Sequence, residues 1–191
     1  MREIVYFVHT SLDGYIEGPA GEFDWPVMGP ELSAYSRELT DRSDTFAYGR
    51  RVWEMMAAYW PEAESHSDHP HDLAFAPVWR KTPKVVFSRT LEKADWNTRV
   101  LGGDLATETA ALKREPGGDI VLMGGAELAT ALTGLGLIDE YLIVVHPVVL
   151  GGGKHAFPGS PDRFGLELTE SRVFDGKAVL LRYRRAVNAG S

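Results

Sequence analysis

The chain has 191 residues, of which 44% are hydrophobic and 25% are charged, and this length and composition suit one globular domain over residues 1–191. A net charge of −7 disfavours nucleic acid and anionic membranes as partners, because basic residues cluster only in short pieces such as Arg50-Arg51. The absence of cysteine excludes disulfides, thiolate catalysis and cysteine-bound metal. No signal-like or membrane-spanning apolar segment follows Met1, so we expect a cytoplasmic protein.

Strands and helices alternate along most of the chain. Residues 4–8 form a β-branched and aromatic run typical of a buried strand, and a glycine-rich loop over residues 10–24 follows it. A loop of this length commonly covers a binding site in a compact domain. Apolar spacing predicts helices over residues 30–42, 50–59, 72–81, 104–115 and 126–135, with Asp104 as the cap of the fourth.

The remaining apolar runs predict the rest of a sheet. Further strands are expected over residues 45–48, 84–87, 119–123 and 141–145. Two alternating runs, 166–174 and 177–183, flank Asp175-Gly176, a dipeptide typical of a tight hairpin turn. This order predicts an α/β fold with a three-layer α/β/α architecture, in which a mostly parallel mixed central sheet ends in a C-terminal antiparallel hairpin.

Three junctions that follow a strand are suited to phosphate. In an open α/β sheet, ligands bind beyond the carboxyl ends of the strands, where helix N-termini present free N–H groups. Glycine lets the backbone approach a ligand closely, and arginine pairs with phosphate oxygens in a forked geometry. The residues concerned are Gly49, Arg50, Arg51 and Val52 at the first junction, Ser88, Arg89 and Thr90 at the second, and Gly124, Gly125, Ala126 and Glu127 at the third.

Each junction taken singly also fits a purely structural role. Arg50 and Arg51 suit a solvated pair at a helix start, and the other two junctions suit a polar turn and a tight turn without a ligand. A fourth segment, residues 151–154, suits either a phosphate site or a mobile connection. Neither the G-x-G-x-x-G spacing of a doubly wound dinucleotide fold nor a G-x-x-x-x-G-K-[ST] loop occurs, which excludes an ordinary nucleotide fold.

In their order and spacing, these segments resemble the dihydrofolate-reductase-like superfamily. The matching branch contains the reductase domain of bacterial bifunctional riboflavin-biosynthesis proteins and its stand-alone relatives. Residues 11–16 and 146–153 add to the match, which runs from residue 4 to about residue 157. The resemblance implies a stand-alone reductase, because the chain lacks the H-x-E and P-C-x-x-C zinc motif of a deaminase partner.

The resemblance also implies where NADPH binds. Residues 49–52 would meet the cofactor phosphates, residues 88–90 the adenosine 2′-phosphate, and Gly124-Gly125 the pyrophosphate, through a cis peptide. The loop after the first strand would cover the nicotinamide. The implied reaction is the reduction of a small heterocycle, either a ribosylaminopyrimidine of riboflavin biosynthesis or a pteridine.

The residues that would act on the substrate are less clear than those for the cofactor. Hydride transfer requires correct positioning of the reactants, and protonation requires an acid or an ordered water. Folate-reducing members hold the pterin with a carboxylate on the helix after the lid. Asp13 and Glu31 are therefore the candidate catalytic residues, and Ser11, Asp24 and Trp25 are the candidate substrate-binding residues. A turn-stabilising role for Asp13 and lid packing for Trp25 are the structural alternatives.

The histidines offer further alternatives. The loose spacing of His66, His69 and His71 predicts a solvated loop, so we expect no metal site. His9 and His146 each lie at a strand end, where they suit either packing or a role in the cleft.

Two further hypotheses concern function and assembly. A non-catalytic protein that binds a nucleotide or folate-like ligand is the main alternative to a reductase. The resemblance implies a homodimer that acts on a small molecule, with the apolar segment 144–150 as a candidate contact.

Overall fold

The computed structural model describes residues 1–159 and 163–186. The elements in chain order are β1 (Ile4–Thr10), β2 (Tyr15–Glu17), α1 (Pro30–Asp41), β3 (Ser43–Gly49), α2 (Arg50–Tyr59), α3 (Pro70–Lys81), β4 (Lys84–Phe87), β5 (Thr98–Leu101), α4 (Leu105–Arg114), β6 (Asp119–Met123), α5 (Ala126–Gly134), β7 (Glu140–Val145), β8 (Lys154–His155), β9 (Leu166–Phe174) and β10 (Ala178–Arg185). A 3-10 segment, Trp60–Ser65, connects α2 towards α3.

Eight strands form the central sheet in the order β5-β4-β3-β6-β1-β7-β10-β9. The strands from β5 to β7 run parallel, and β10 is antiparallel to both β7 and β9. Strands β2 and β8 form a small separate antiparallel sheet. The predicted α/β fold with a mostly parallel mixed sheet and a terminal antiparallel hairpin is therefore confirmed.

Strand β1 is buried on both faces, which explains its almost continuous apolar sequence. Val5 and Phe7 belong to the hydrophobic cluster that the sheet forms with α1, α2 and α3. Tyr6 and Val8 belong to a second cluster on the opposite face, with α4 and α5. The alternation of side chains along a strand thus separates the two layers of helices. It also places His9, two residues after Phe7, on the α1–α3 side of the sheet.

The six parallel strands all end at one edge of the sheet, which we call the carboxyl edge. The opposite edge, where these strands begin, is the amino edge. The chain leaves the carboxyl edge through the loops after β1, β3, β4, β5, β6 and β7. Loops at this edge of an open α/β sheet form ligand sites, so it is the place where a functional site is expected.

The structure adds detail that the sequence pattern did not predict. Helix α3 begins at Pro70, two residues before the predicted start, and it continues through Pro77. Helix α4 is capped by Asp104 as predicted, because the Asp104 carboxylate accepts a hydrogen bond from the Thr107 N–H. Strands β2, β5 and β8 were not predicted. None of the helices in residues 1–159 and 163–186 is long and apolar enough to cross a membrane.

Candidate functional site

A cleft of about 690 Å³ opens at the carboxyl edge, beside the ends of β3, β4 and β5. It also reaches the first turns of α2, α4 and α5. Ten of the eleven residues predicted for the cofactor line it: Gly49, Arg50, Arg51, Val52, Ser88, Arg89, Thr90, Gly125, Ala126 and Glu127. The structure therefore brings the three predicted junctions into one cavity. That these residues bind a cofactor stays a prediction.

Two helices point uncapped N-termini at the cleft. Helix α2 starts directly after Gly49 and α5 directly after Gly125, and neither has a side-chain cap among the described residues. The first N–H groups of a helix have no partner within the helix, and they carry the positive end of its dipole. Helix α4 is different, since Asp104 caps it. The cleft thus offers two sites for phosphate groups.

Positive side chains line the same cleft. One Arg50 Nη donates to Thr90 Oγ1 at 2.8 Å, and the Arg50 Nε lies 3.1 Å from Glu54. Arg89 is exposed, and it makes no ion pair with any described residue. A guanidinium that the protein leaves open at the rim of a cavity is suited to an anionic ligand.

Glu127 places a negative charge among these cations. Its carboxylate accepts a hydrogen bond from Lys154 at 3.1 Å and lies 3.9 Å from Arg51. The hydrogen bond from Lys154 lowers the pKa of Glu127, so this residue is anionic at neutral pH. Lys154 lines the cleft as well. The fourth glycine-rich segment of the sequence therefore contributes a cation to this site.

The glycine pair turns the chain sharply between β6 and α5. Gly124 and Gly125 have φ values of +64° and +78°, the left-handed region that favours glycine. No peptide bond in the described part of the chain is cis, so the cis Gly–Gly peptide implied by the resemblance is wrong for this structure. Two successive left-handed residues complete the turn with a trans bond. The Gly124 N–H donates to the Phe7 carbonyl at 3.1 Å, which fixes the turn to β1.

Asp13 lies in the loop after β1, and its carboxylate is occupied by the backbone. It accepts hydrogen bonds from the N–H groups of Leu150 and Gly151, at 3.1 and 2.8 Å. A hydrogen bond from Ser11, together with these backbone bonds, lowers the pKa of Asp13 to about 2. A carboxyl group with so low a pKa is a poor proton donor at neutral pH. Ser11 is buried, and its hydroxyl accepts from the Tyr15 N–H. The contacts match the turn-stabilising alternative.

Glu31 is exposed at the start of α1, where it binds the turn of the C-terminal hairpin. Its carboxylate accepts a hydrogen bond from the Asp175 N–H. In return, the Asp175 carboxylate accepts from the N–H groups of Glu31 and Leu32, at 3.0 and 3.3 Å. This reciprocal arrangement joins α1 to the β9–β10 turn. Asp24 is exposed as well, and it makes no hydrogen bond to another described residue.

A pair of hydrogen-bonded histidines lies at the carboxyl edge between the ends of β1 and β7. His9 Nδ1 is 2.8 Å from His146 Nε2, and the backbone N–H of Val27 donates to His146 Nδ1 at 3.3 Å. Burial and the neighbouring His146 and His71 lower the pKa of His9 to about 3. Burial lowers the pKa of His146 to about 4. Both rings are therefore neutral at physiological pH.

Sequence reasoning placed His9 and His146 at strand ends but did not pair them. The pairing follows from the adjacency of β1 and β7, whose register sets Thr10 opposite Val145. Trp25 of the loop packs edge-on against His146, with ring centroids 5.7 Å apart. The candidate substrate-binding residue Trp25 thus lies beside this pair.

Comparison with known proteins places the chain in a family. Residues 2–180 match the model of the RibD C-terminal domain. The chain belongs to the RibD C-terminal domain family. One relative is the uncharacterised protein YyaP of Bacillus subtilis strain 168. It is 35% identical over 182 residues, which cover 95% of this chain and 94% of YyaP.

Solved structures share the fold of this RibD C-terminal domain. A putative riboflavin biosynthesis protein from Shewanella matches with a TM-score of 0.77 and 24% identity, over 98% of this chain and all of that one. The deaminase/5-amino-6-(5-phosphoribosylamino)uracil reductase of Thermotoga maritima matches with a TM-score of 0.69 and 13% identity, over 97% of this chain and 57% of that one. Dihydrofolate reductase from Enterococcus faecalis, complexed with NADP(H), matches at 0.62 and 14%, over 96% of each chain.

Proposed function

We propose that this RibD C-terminal domain is an NADPH-dependent reductase of a small heterocyclic substrate, either a ribosylaminopyrimidine or a pteridine. The observation that carries the proposal is the cleft at the carboxyl edge. Two uncapped helix N-termini and the open guanidinium of Arg89 provide three places for phosphate within one cavity of about 690 Å³. A dinucleotide with a pyrophosphate and a 2′-phosphate matches that set of charges.

The names of the relatives support the proposed substrate class. One structural neighbour is a 5-amino-6-(5-phosphoribosylamino)uracil reductase, and another is a dihydrofolate reductase complexed with NADP(H). Within this chain, residues 49–52 would hold the cofactor phosphates, and residues 88–90 would hold the 2′-phosphate. NADPH would supply the hydride, and the protein would bind and orient the reactants and exclude water.

The test is a comparison of NADPH and NADH binding by the wild type and by Arg89→Gln. Loss of one charge-assisted hydrogen bond costs about 1.5–3 kcal/mol, so the dissociation constant for NADPH is expected to rise by about 10- to 150-fold. NADH lacks the 2′-phosphate, and its affinity should not change. Arg37→Gln, on the exposed side of α1, is the matched control and should leave both affinities unchanged. An equal loss for NADPH and NADH would contradict the assignment of residues 88–90.

The non-catalytic alternative has one observation in its favour. Both predicted catalytic carboxylates, Asp13 and Glu31, already accept backbone hydrogen bonds. Steady oxidation of NADPH with 5-amino-6-(5-phosphoribosylamino)uracil or dihydrofolate would exclude it. Tight NADPH binding without turnover of either compound would favour it.

We also propose that the protein is a cytoplasmic homodimer. Within segment 144–150, Val144 is fully buried in its own subunit, whereas Val149 is exposed and could form the contact. Strand β9 is a second candidate, because it ends the sheet order and exposes Leu168 and Val173. Light scattering should give twice the mass of one chain, and Leu168→Lys should reduce it to the monomer mass. A monomeric wild type would contradict this proposal.

A further inference from the structure

The histidine pair lies on the line along which a dinucleotide in the cleft would extend. Along the carboxyl edge, the strands follow in the order β4, β3, β6, β1 and β7. Arg89 lies after β4, the glycine pair lies after β6, and His9 and His146 follow on the next two strands. A ligand that has its 2′-phosphate at Arg89 and its pyrophosphate at the α5 N-terminus therefore points its other end towards the histidines.

The glycine turn connects the cleft directly to β1. Met123 is paired with Phe7 in the parallel ladder, and the Gly124 N–H donates to the Phe7 carbonyl at 3.1 Å. His9 lies two residues further along β1, on the same face as Phe7. The distance along the strand from the glycine turn to His9 is thus about 7 Å, at roughly 3.3 Å per residue.

The hydrogen bonds fix the proton positions on both rings. The Val27 N–H donates to His146 Nδ1, so this nitrogen carries no proton. Because the ring is neutral, its proton is on Nε2, and this N–H must donate to His9 Nδ1 at 2.8 Å. His9 is neutral as well, so its own proton is on Nε2. The chain of bonds from Val27 therefore ends in a free N–H group on His9.

The surroundings leave this N–H group available to a ligand. His9 is partly exposed, and its Nε2 has no hydrogen-bond partner among residues 1–159 and 163–186. The indole N–H of Trp25 is a second donor without a described partner, and it belongs to the loop that packs on His146. The Trp25 donor is buried, so leaving it without an acceptor costs free energy, whereas the His9 Nε2–H belongs to a partly exposed ring that an acceptor atom of a ligand can reach.

We propose that His9 is a catalytic residue whose Nε2–H donates to the heteroatom of the reducible C=O or C=N bond, and that His146 is the positioning residue that fixes its tautomer. This inference rests on the proposed function. The substrate carbon takes the hydride that NADPH supplies, and the π electron pair moves to the heteroatom X. X then takes a proton from solvent, so that C=X becomes CH–XH and NADPH becomes NADP⁺.

The neutral state of the ring suits this role. A neutral imidazole N–H polarises the double bond and stabilises the negative charge that develops on X, without itself losing a proton. Asp13 and Glu31 are less suited, because both are occupied by backbone N–H groups. The pair also selects substrates, since a compound without an acceptor atom on the reducible carbon would leave the His9 donor unpaired.

The first test needs no substrate. Nitrogen-15 NMR of the imidazoles in the full chain should show both rings protonated on Nε2 and not on Nδ1 at pH 7. His146→Phe removes the donor to His9, so His9 should become a mixture of tautomers. A wild-type His9 that carries its proton on Nδ1 would overturn the proposal, whether or not the protein is a reductase.

The second test uses NADPH with 5-amino-6-(5-phosphoribosylamino)uracil and dihydrofolate as probes. His9→Leu should leave the dissociation constant for NADPH within about twofold while kcat falls by roughly 100-fold, as for loss of one preorganised donor. His9→Gln places an amide N–H near the same position and should recover much of kcat. A wild-type kcat in His9→Leu would overturn the catalytic role.

The role of His146 is tested by a similar pair of variants. His146→Gln retains a donor to His9 and should keep kcat close to the wild type, whereas His146→Phe should lower kcat with the NADPH affinity unchanged. Equal kcat losses in both variants would show that the residue only packs. If the wild type fails to bind NADPH, the proposed function is wrong, but the NMR result still decides the arrangement of the pair.

Discussion

The two edges of the sheet use charge in opposite ways. At the amino edge, basic side chains are paired with carboxylates of the same chain, as in Arg2 with Asp44 and Lys113 with Asp139. At the carboxyl edge, Arg89 faces the cleft without a described partner, and two helices begin there without caps. Arginine thus stabilises the fold through ion pairs at the amino edge, whereas Arg89 at the carboxyl edge remains available to a ligand.

Glu140 shows how completely the amino edge is paired. Its side chain is 0% exposed and lies within 2.8 Å of both Arg42 and Arg182 and within 3.2 Å of Arg184. Burial by itself raises the pKa of Glu140, but hydrogen bonds from Arg42 and Arg182 outweigh burial and hold the pKa below its ordinary value. A buried carboxylate of this kind serves stability, because no ligand can reach it. The comparison therefore predicts which substitutions affect unfolding and which affect binding.

The largest effect is expected for Glu140→Gln. Removing one partner of a buried ion pair costs about 3–5 kcal/mol, and we expect about 3 kcal/mol because Arg42 and Arg182 partly reach solvent. The free energy of unfolding, measured by urea denaturation, should fall by that amount. NADPH affinity of the folded protein should not change.

Glu170→Gln is the matched control for that experiment. Glu170 also pairs with Arg182, at 3.3 Å, but its side chain is partly exposed. The expected loss is therefore at most about 1 kcal/mol. Similar losses for both variants would mean that the buried network at the amino edge contributes no more than a surface pair.

Two glycine variants, one at each edge, should distinguish effects on stability from effects on binding. At the amino edge, a Cβ on Gly118 would lie 2.8 Å from the Arg42 carbonyl oxygen, so Gly118→Ala should cost about 1–3 kcal/mol of stability. At the carboxyl edge, Gly49 has φ −78°, and a Cβ there would meet only Leu128 at 3.7 Å. Gly49→Ala should therefore change stability by less than about 0.5 kcal/mol.

The effects of these two variants on NADPH binding should be opposite to their effects on stability. Gly49→Ala places a methyl group where a phosphate would approach the α2 N-terminus, so the dissociation constant for NADPH should rise by roughly tenfold. Gly118→Ala should bind NADPH as the wild type does. Normal NADPH affinity in Gly49→Ala would place the cofactor phosphates elsewhere.

The sequence predicted the elements whose residues carry a strong local pattern. The apolar run of β1, the Asp175-Gly176 hairpin and the start of α2 at Arg50 are all of this kind. Strands β2 and β8 were missed because they are three and two residues long and exist only by pairing with each other. A pattern within one segment carries no information about such a pairing.

The residues of the candidate site also fall into two groups, those with a local sequence pattern and those whose role depends on distant contacts. The three junctions were identified because glycine and arginine at strand ends have a local signature, and the cleft brings them together. The roles of Asp13 and Glu31 could not be judged, because their backbone partners lie more than 130 residues away in the chain. The pairing of His9 with His146 likewise depends on a contact between distant strands.

The histidine pair should give the carboxyl edge a pH dependence between pH 6.5 and 5.5. Both pKa values are lowered, to about 3 and about 4, so the unfolded chain binds protons first as the pH falls below about 6.5. The stability contributed by each neutral ring is therefore complete well above pH 6.5 and is lost progressively as the pH falls through 6.5 towards 4. Between pH 6.5 and 5.5 the loss is about 1 kcal/mol per histidine.

His146→Phe should remove about 1 kcal/mol of this loss, measured as the change in unfolding free energy between pH 6.5 and 5.5. His71 is also buried with a lowered pKa, so part of the dependence should remain in the variant. If His146→Phe shows the same loss as the wild type, His146 is not buried in the neutral state.

The smallest effect is expected at Asp104, whose charge both stabilises a helix and faces the cleft. Its carboxylate caps α4 by accepting from the Thr107 N–H at 2.9 Å, and the residue also lines the cleft. Hydrogen bonds from Thr107 lower the pKa of Asp104, so it is anionic and should repel a phosphate. Asp104→Asn keeps the cap but removes the charge, so stability should be unchanged and NADPH should bind up to about fivefold more tightly. Weaker NADPH binding in this variant would mean that the carboxylate accepts a hydrogen bond from the ligand, and that the carboxyl edge binds its ligand through more than positive charge.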